Sequence, residues 1–167
     1  QLIGDGYEFL VVTSGAVAAG MGRLGLKNRP TKVNELQAIA AIGQMRLMQA
    51  YEEEISELGY VSSMILLTHE DFSDRRRYLN ARATLTRLLD LGAIPLINEN
   101  DTVATDEIRF GDNDTLSAFV TNLVEADLQI ILTDVDGLMD KDPNIHNDAK
   151  RVSQASADDQ SLELLSS

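Results

Sequence analysis

Apolar residues fall along this chain in two alternating spacings. Short apolar runs occupy 9–13, 61–68 (centred on Met64, Ile65, Leu66 and Leu67), 93–97 and 128–132. Such runs read as strands of a buried sheet. Between them the spacing lengthens. Leu36, Ile39, Ala40, Gly43, Leu47, Ala50, Ile55 and Leu58 keep close to a 3.6-residue period and predict one long helix over 33–58. The small residues of 16–20 predict a tightly packed helix directly after the first strand. A helix over 74–91 is stopped by Gly92, and another covers 115–126. Gln1, Leu2 and Ile3 read as the last turn of a helix ended by Gly4-Asp5-Gly6. From Lys141 onward the chain is polar and predicts loops with at most one short helix. No internal repeat is present.

Strands separated by helices imply βαβ units: an α/β fold, a three-layer α/β/α sandwich around a mostly parallel sheet. In such folds ligands bind beyond the carboxyl ends of the strands. Those ends are Thr13-Ser14-Gly15, Leu67-Thr68, Ile97-Asn98 and Leu132-Thr133-Asp134, and each turns polar where its apolar run stops. The third leads into residues 98–114, where seven of seventeen positions are Asn or Asp, six of them in the clusters NEND and GDND. Asn and Asp are ordinary turn residues. Four polar strand ends in succession nevertheless favour a polar crevice over a set of plain connections.

Length and composition narrow the chemistry. At 167 residues the chain is long enough for one domain with a real core. With no cysteine, disulfides and thiolate sites are excluded, and two distant histidines, His69 and His146, argue against a zinc site. A net charge of −13 opposes nucleic acid and anionic membrane as partners. No apolar run approaches the roughly 18 residues of a membrane span. Gly20-Met21-Gly22-Arg23-Leu24-Gly25 fits GxGxxG, but it does not directly follow a strand and no acidic residue lies about 20 positions on, so a helix end with turns is the better reading. Gly15 and Gly20 have P-loop spacing, yet Met21 stands where its lysine belongs. Arg75-Arg76-Arg77 reads as the solvated first turn of a helix. Asp134 and Asp136 fit a metal pair or a strand-end turn equally well.

Several stretches carry a family resemblance. Residues 11–20 (VVTSGAVAAG), 66–82 (LLTHEDFSDRRRYLNAR), 97–105 (INENDTVAT), 110–114 (FGDND) and 132–138 (LTDVDGL) are similar to the glutamate 5-kinase family, within the wider amino-acid kinase superfamily. The paired NEND and GDND segments are its specific mark. The resemblance implies ATP-dependent phosphorylation of the L-glutamate side-chain carboxylate, the first step of proline synthesis. It implies that Ser14, Asp101 and Asn113 bind glutamate. Asp114 would orient the family's catalytic lysines, and Thr133 and Asp134 would meet the nucleotide. ATP is then the phosphoryl donor, with Mg2+ carried on its phosphates. A cytoplasmic homo-oligomer with no dedicated metal site is the matching expectation.

The family's first strand, with a lysine and a glycine-rich turn, lies upstream of Gln1, and a second lysine lies beyond Ser167. Residues 1–167 thus read as one incomplete kinase domain, holding mainly the glutamate half of the site. Lys27, Lys32, Lys141 and Lys150 match no family motif, so this stretch alone is expected to be inactive. Two alternatives stay open at this point. One is a superfamily kinase acting on another acid; the other is a non-catalytic piece that binds an amino acid as a regulator.

Overall fold

The computed structural model describes residues 3–103, 113–133, 137–142 and 145–156. The chain divides into two compact units, Gln1–Gln129 and Ile130–Ser167.

The first unit holds a short 3-10 turn (Ile3–Asp5) and then β1 (Val11–Val12), α1 (Ala16–Leu24), α2 (Val33–Glu57), β2 (Val61–Leu67), α3 (His69–Ser73), α4 (Arg75–Asp90), β3 (Ala93–Glu99) and α5 (Asn113–Val124). The three strands form one parallel sheet in the order β1-β3-β2. The central strand β3 is buried along nearly its whole length, as its unbroken apolar run requires. Pro95 is tolerated within it. Ile97 accepts from the Thr13 N–H on the β1 side, and Pro95 shares that parity, one position before the β1 ladder begins at Leu96. Its missing donor therefore interrupts no ladder bond.

Side chains of β3 alternate between two cores. Ile94 and Leu96 pack with Met48 of α2, against which Val11, Tyr51 and Ile55 also lie. On the opposite face Ile97 packs with Leu67, with Leu85 of α4 and with Leu116, Val120 and Leu123 of α5. Helices thus cover both faces of the sheet, in the three-layer arrangement the pattern implied. A third cluster joins α1 to α2 through Ala16, Val17, Leu36, Ile39 and Ala40. Gly20 and Gly43 make that contact possible. A Cβ on Gly20 would lie 2.0 Å from the Ile39 carbonyl oxygen, and one on Gly43 would lie 1.8 Å from that of Ala16. The two helices meet backbone to backbone, so in the GxGxxG stretch Gly20 serves packing and Gly25 a left-handed helix cap, while Gly22 faces open space.

Some boundaries differ from the sequence reading. The first helix runs on to Leu24. β3 extends to Glu99, which puts Asn98 inside the strand, and α5 begins at Asn113, not at 115. The short α3 was not anticipated. It is fixed locally: Asp71 Oδ2 accepts from the Thr68 N–H at 2.6 Å and from Thr68 Oγ1 at 2.8 Å, closing a capping box. The arginine run does open α4, and Arg77 bonds to Asp71 at 2.8 Å and Glu70 at 3.0 Å. Burial pushes the Asp71 carboxyl up, but the hydrogen bonds from Thr68 and Arg77 outweigh it and hold the group below the usual carboxylate range.

The expected fourth strand is not formed. Residues 128–132 pair with no strand among the described residues, and Ile130 and Leu132 are 72% and 93% exposed. Within the second unit, Met139 and Arg151 form an antiparallel bridge, supported by Val152 N–H donating to Leu138 and Asp140 N–H donating to Lys150. Among the described residues no helix is long and apolar enough to cross a membrane.

Candidate functional site

A cavity of about 260 Å³ opens at the carboxyl end of the sheet, entirely within the first unit. Its walls come from Ser14, from Gly15 and the first turn of α1 (Ala16, Val17, Ala18), and from Arg29, Asn98, Asp101 and Asn113. The volume lies just below the range of about 300–1,000 Å³ usual for ligand pockets, a scale suited to a small polar metabolite.

Local rules place each group. β1 ends at Val12, and the chain must turn sharply into α1. Gly15 makes that turn at φ 105°, a left-handed conformation that suits glycine. The amides of the first turn of α1 have no partners inside the helix and border the cavity, adding the partial positive charge of a helix N-terminus. The Gly20–Gly43 contact holds α1 against α2 and so fixes where that turn lies.

Asn98 is 2% exposed at the end of β3. Its Nδ2 donates to Gln44 Oε1 of α2 at 2.7 Å, and its Oδ1 accepts from the Glu99 N–H at 2.9 Å. Gln44 Nε2 is itself buried with no partner among the described residues, and a void of about 10 Å³, on the scale of a single water, adjoins it. Asp101 stands beyond the strand end, half-buried. Burial, and then the negative charge of Glu99, push its carboxyl up to about 6 from the ordinary 3.8, while Arg29 opposes the rise. Asn113 opens α5, and its Oδ1 is buried without a partner among the described residues.

The structure therefore brings Ser14, Asp101 and Asn113 to one cavity. Asp114 sits next to Asn113 in the first turn of α5 but is exposed and is not among the cavity residues. Thr133 is exposed in the second unit, and Asp134 lies outside the described residues, as does Asp136. Two of the polar strand ends serve the fold. Thr13 Oγ1 donates to the Tyr51 hydroxyl at 3.0 Å, and Thr68 caps α3. Two lining residues were not singled out as ligands from sequence. Asn98 was counted only as a polar strand end, and its burial against Gln44 depends on the fold. Arg29 lies in the α1–α2 connection with no motif around it.

The model of the amino acid kinase family matches residues 1–163. The chain belongs to the amino acid kinase family. It is 59% identical over 167 residues to a glutamate 5-kinase of Marinomonas sp., covering all of this chain and 45% of that protein. It is 61% identical over 160 residues to a glutamate 5-kinase of Pseudomonas putida, covering 96% of this chain and 43% of the relative. The glutamate 5-kinase of Pseudomonas savastanoi pv. phaseolicola is 60% identical over 160 residues, with 96% and 44% covered. The chain thus spans under half the length of these curated relatives. As an amino acid kinase family member, it carries its polar cavity where the strands end and helix N-termini converge.

Proposed function

We propose that this chain carries the glutamate-binding part of an ATP-dependent carboxylate kinase that makes L-glutamyl 5-phosphate, the first step of proline biosynthesis. The observation that carries the reading is the convergence of Ser14, Asp101 and Asn113, with the first turn of α1, on one small cavity. The curated relatives named glutamate 5-kinase support the choice of substrate.

Glutamate carries one ammonium group and two carboxylates. Among the described residues Asp101 is the one anionic side chain bordering the cavity, and it suits the ammonium through a charge-assisted hydrogen bond. The α1 amides, the Ser14 hydroxyl and the Asn113 Nδ2 suit carboxylate oxygens, while the buried Asn113 Oδ1, an acceptor, suits the substrate ammonium. In the reaction a side-chain carboxylate oxygen attacks the γ-phosphorus of ATP. The new O–P bond forms as the bond to the β-phosphate oxygen breaks, and ADP leaves. The acceptor is already ionised, so no base is needed; alignment and positive charge do the work. In this reading Asp114 orients cationic groups around the transferring phosphoryl, and Thr133 and Asp134 meet the nucleotide. In this reading magnesium enters on the ATP phosphates.

Steady-state kinetics of the intact protein test the reading. Asp101→Ala and Asn113→Ala should each raise the KM for glutamate about tenfold to a hundredfold, the loss of a charge-assisted contact of roughly 1.5–3 kcal/mol. KM for ATP should change much less. Unchanged glutamate kinetics in both variants would show that the cavity binds something else.

A further inference from the structure

Among the described residues, one cationic side chain, Arg29, and one anionic side chain, Asp101, border the cavity. They do not neutralise each other by direct contact. Arg29 is in none of the salt bridges among the described residues. Its charge nevertheless reaches Asp101 and opposes the effect of burial there. The two groups are near enough to interact and too far apart to pair. An α-amino acid presents the complementary arrangement, with an ammonium and a carboxylate on the same carbon.

Resting on the glutamate reading above, we infer that Arg29 is a specificity-determining residue that binds the substrate's α-carboxylate while Asp101 holds the adjacent ammonium. Two arguments select this carboxylate over the reacting one. The first is adjacency: the group that neighbours the ammonium's partner is the one that meets the α-carboxylate. The second is chemical. A guanidinium forms short, strong hydrogen bonds to a carboxylate and withdraws charge from it. On the acceptor oxygen that would oppose attack at phosphorus; on the α-carboxylate it costs the reaction nothing. The softer donors, the α1 amides and the Ser14 hydroxyl, are then left for the side-chain carboxylate. Arg29 reaches the cavity from the connection between Gly25, the cap of α1, and Lys32, the cap of α2, so both ends of its loop are fixed by helix termini.

The test uses the intact protein and two ligands, L-glutamate and its α-amide, L-isoglutamine, titrated calorimetrically into the wild type, Arg29→Gln and Arg29→Lys. Wild type should favour glutamate over the α-amide. Arg29→Gln should weaken glutamate binding about tenfold or more while changing α-amide binding by less than about twofold, so the preference collapses. Arg29→Lys should restore part of it, because the charge returns without the planar fork. Equal losses for both ligands, or no loss for glutamate, in a protein whose wild type phosphorylates glutamate would overturn the assignment of Arg29 alone. A wild type that neither binds nor phosphorylates glutamate would overturn the functional reading and this inference with it.

Discussion

Gly43→Ala and Gly22→Ala form a matched pair that isolates the α1–α2 contact. Both place a methyl group on a helical glycine, and each gains up to about 1 kcal/mol of helix propensity. Their surroundings are opposite. A Cβ at Gly22 meets nothing within 4 Å. At Gly43 it lies 1.8 Å from the Ala16 carbonyl oxygen and 2.4 Å from the Gly20 amide nitrogen, against 3.4 Å for the nearest ordinary contact. Both partners are backbone, so no rotamer change relieves the overlap and the helices must separate. Overpacking costs about 1–3 kcal/mol in most cores, and a backbone clash belongs at the upper end. Gly43→Ala should therefore lose about 2 kcal/mol net, while Gly22→Ala gains about 0.5–1 kcal/mol. Urea unfolding followed by far-UV circular dichroism reads the split as a difference in midpoint at unchanged slope, on the order of 1–2 M. Separation also moves the first turn of α1, so Gly43→Ala should weaken glutamate binding and Gly22→Ala should not. A Gly43→Ala chain as stable as Gly22→Ala would refute the close-packing account and its link to the cavity.

Two further predictions follow from the strand end. The Asp101 carboxyl is raised to about 6 in the folded chain, so the folded state holds its proton more tightly than the unfolded state, where the ordinary value is 3.8. Its contribution favours folding below that lower value and is lost as pH rises through about 6. Asp101→Asn should accordingly be more stable than wild type near pH 8 and lose that advantage near pH 3.5; equal stability at the higher pH would refute the cause assigned. Glutamate affinity should run the other way, falling as pH drops below about 6 and Asp101 is neutralised. Gln44→Leu leaves the buried Asn98 Nδ2 without its acceptor, for a loss of about 1–3 kcal/mol. The lower end is expected because Gln44 Nε2 has no partner among the described residues, and an unchanged unfolding midpoint would show that the Asn98–Gln44 bond carries no weight.

Long periodic elements and their layering were legible in the sequence, whereas a short capped helix and contacts between distant side chains were not. Periodicity located α2 almost to the residue, because one apolar stripe of a 25-residue helix is a strong signal. The five-residue α3 is too short to show a period and is specified by the Thr68–Asp71 cap. Residues 128–132 have a strand's composition, but strand formation depends on a pairing partner that composition does not reveal. Asn98 looked like loop because it is polar; it lies in β3 because Gln44, 54 positions away, offers its amide a partner. Asn113 and Asp114 are consecutive, yet a helix turns about 100° per residue, and only Asn113 borders the cavity. The α1–α2 connection gave no sign of a ligand, and Arg29 reaches the cavity only once α1 and α2 have docked.

Hydroxylamine trapping shows whether the side-chain carboxylate of glutamate receives the phosphoryl group, as we propose. The intact protein is incubated with ATP, magnesium, L-glutamate and hydroxylamine, and the acyl phosphate is captured as γ-glutamyl hydroxamate. Hydroxamate should depend on both ATP and glutamate and should fall sharply in Asp101→Ala at subsaturating glutamate. A folded protein that binds glutamate but forms no hydroxamate, or an Asp101→Ala variant that forms it at the wild-type rate across all glutamate concentrations, would contradict that proposal.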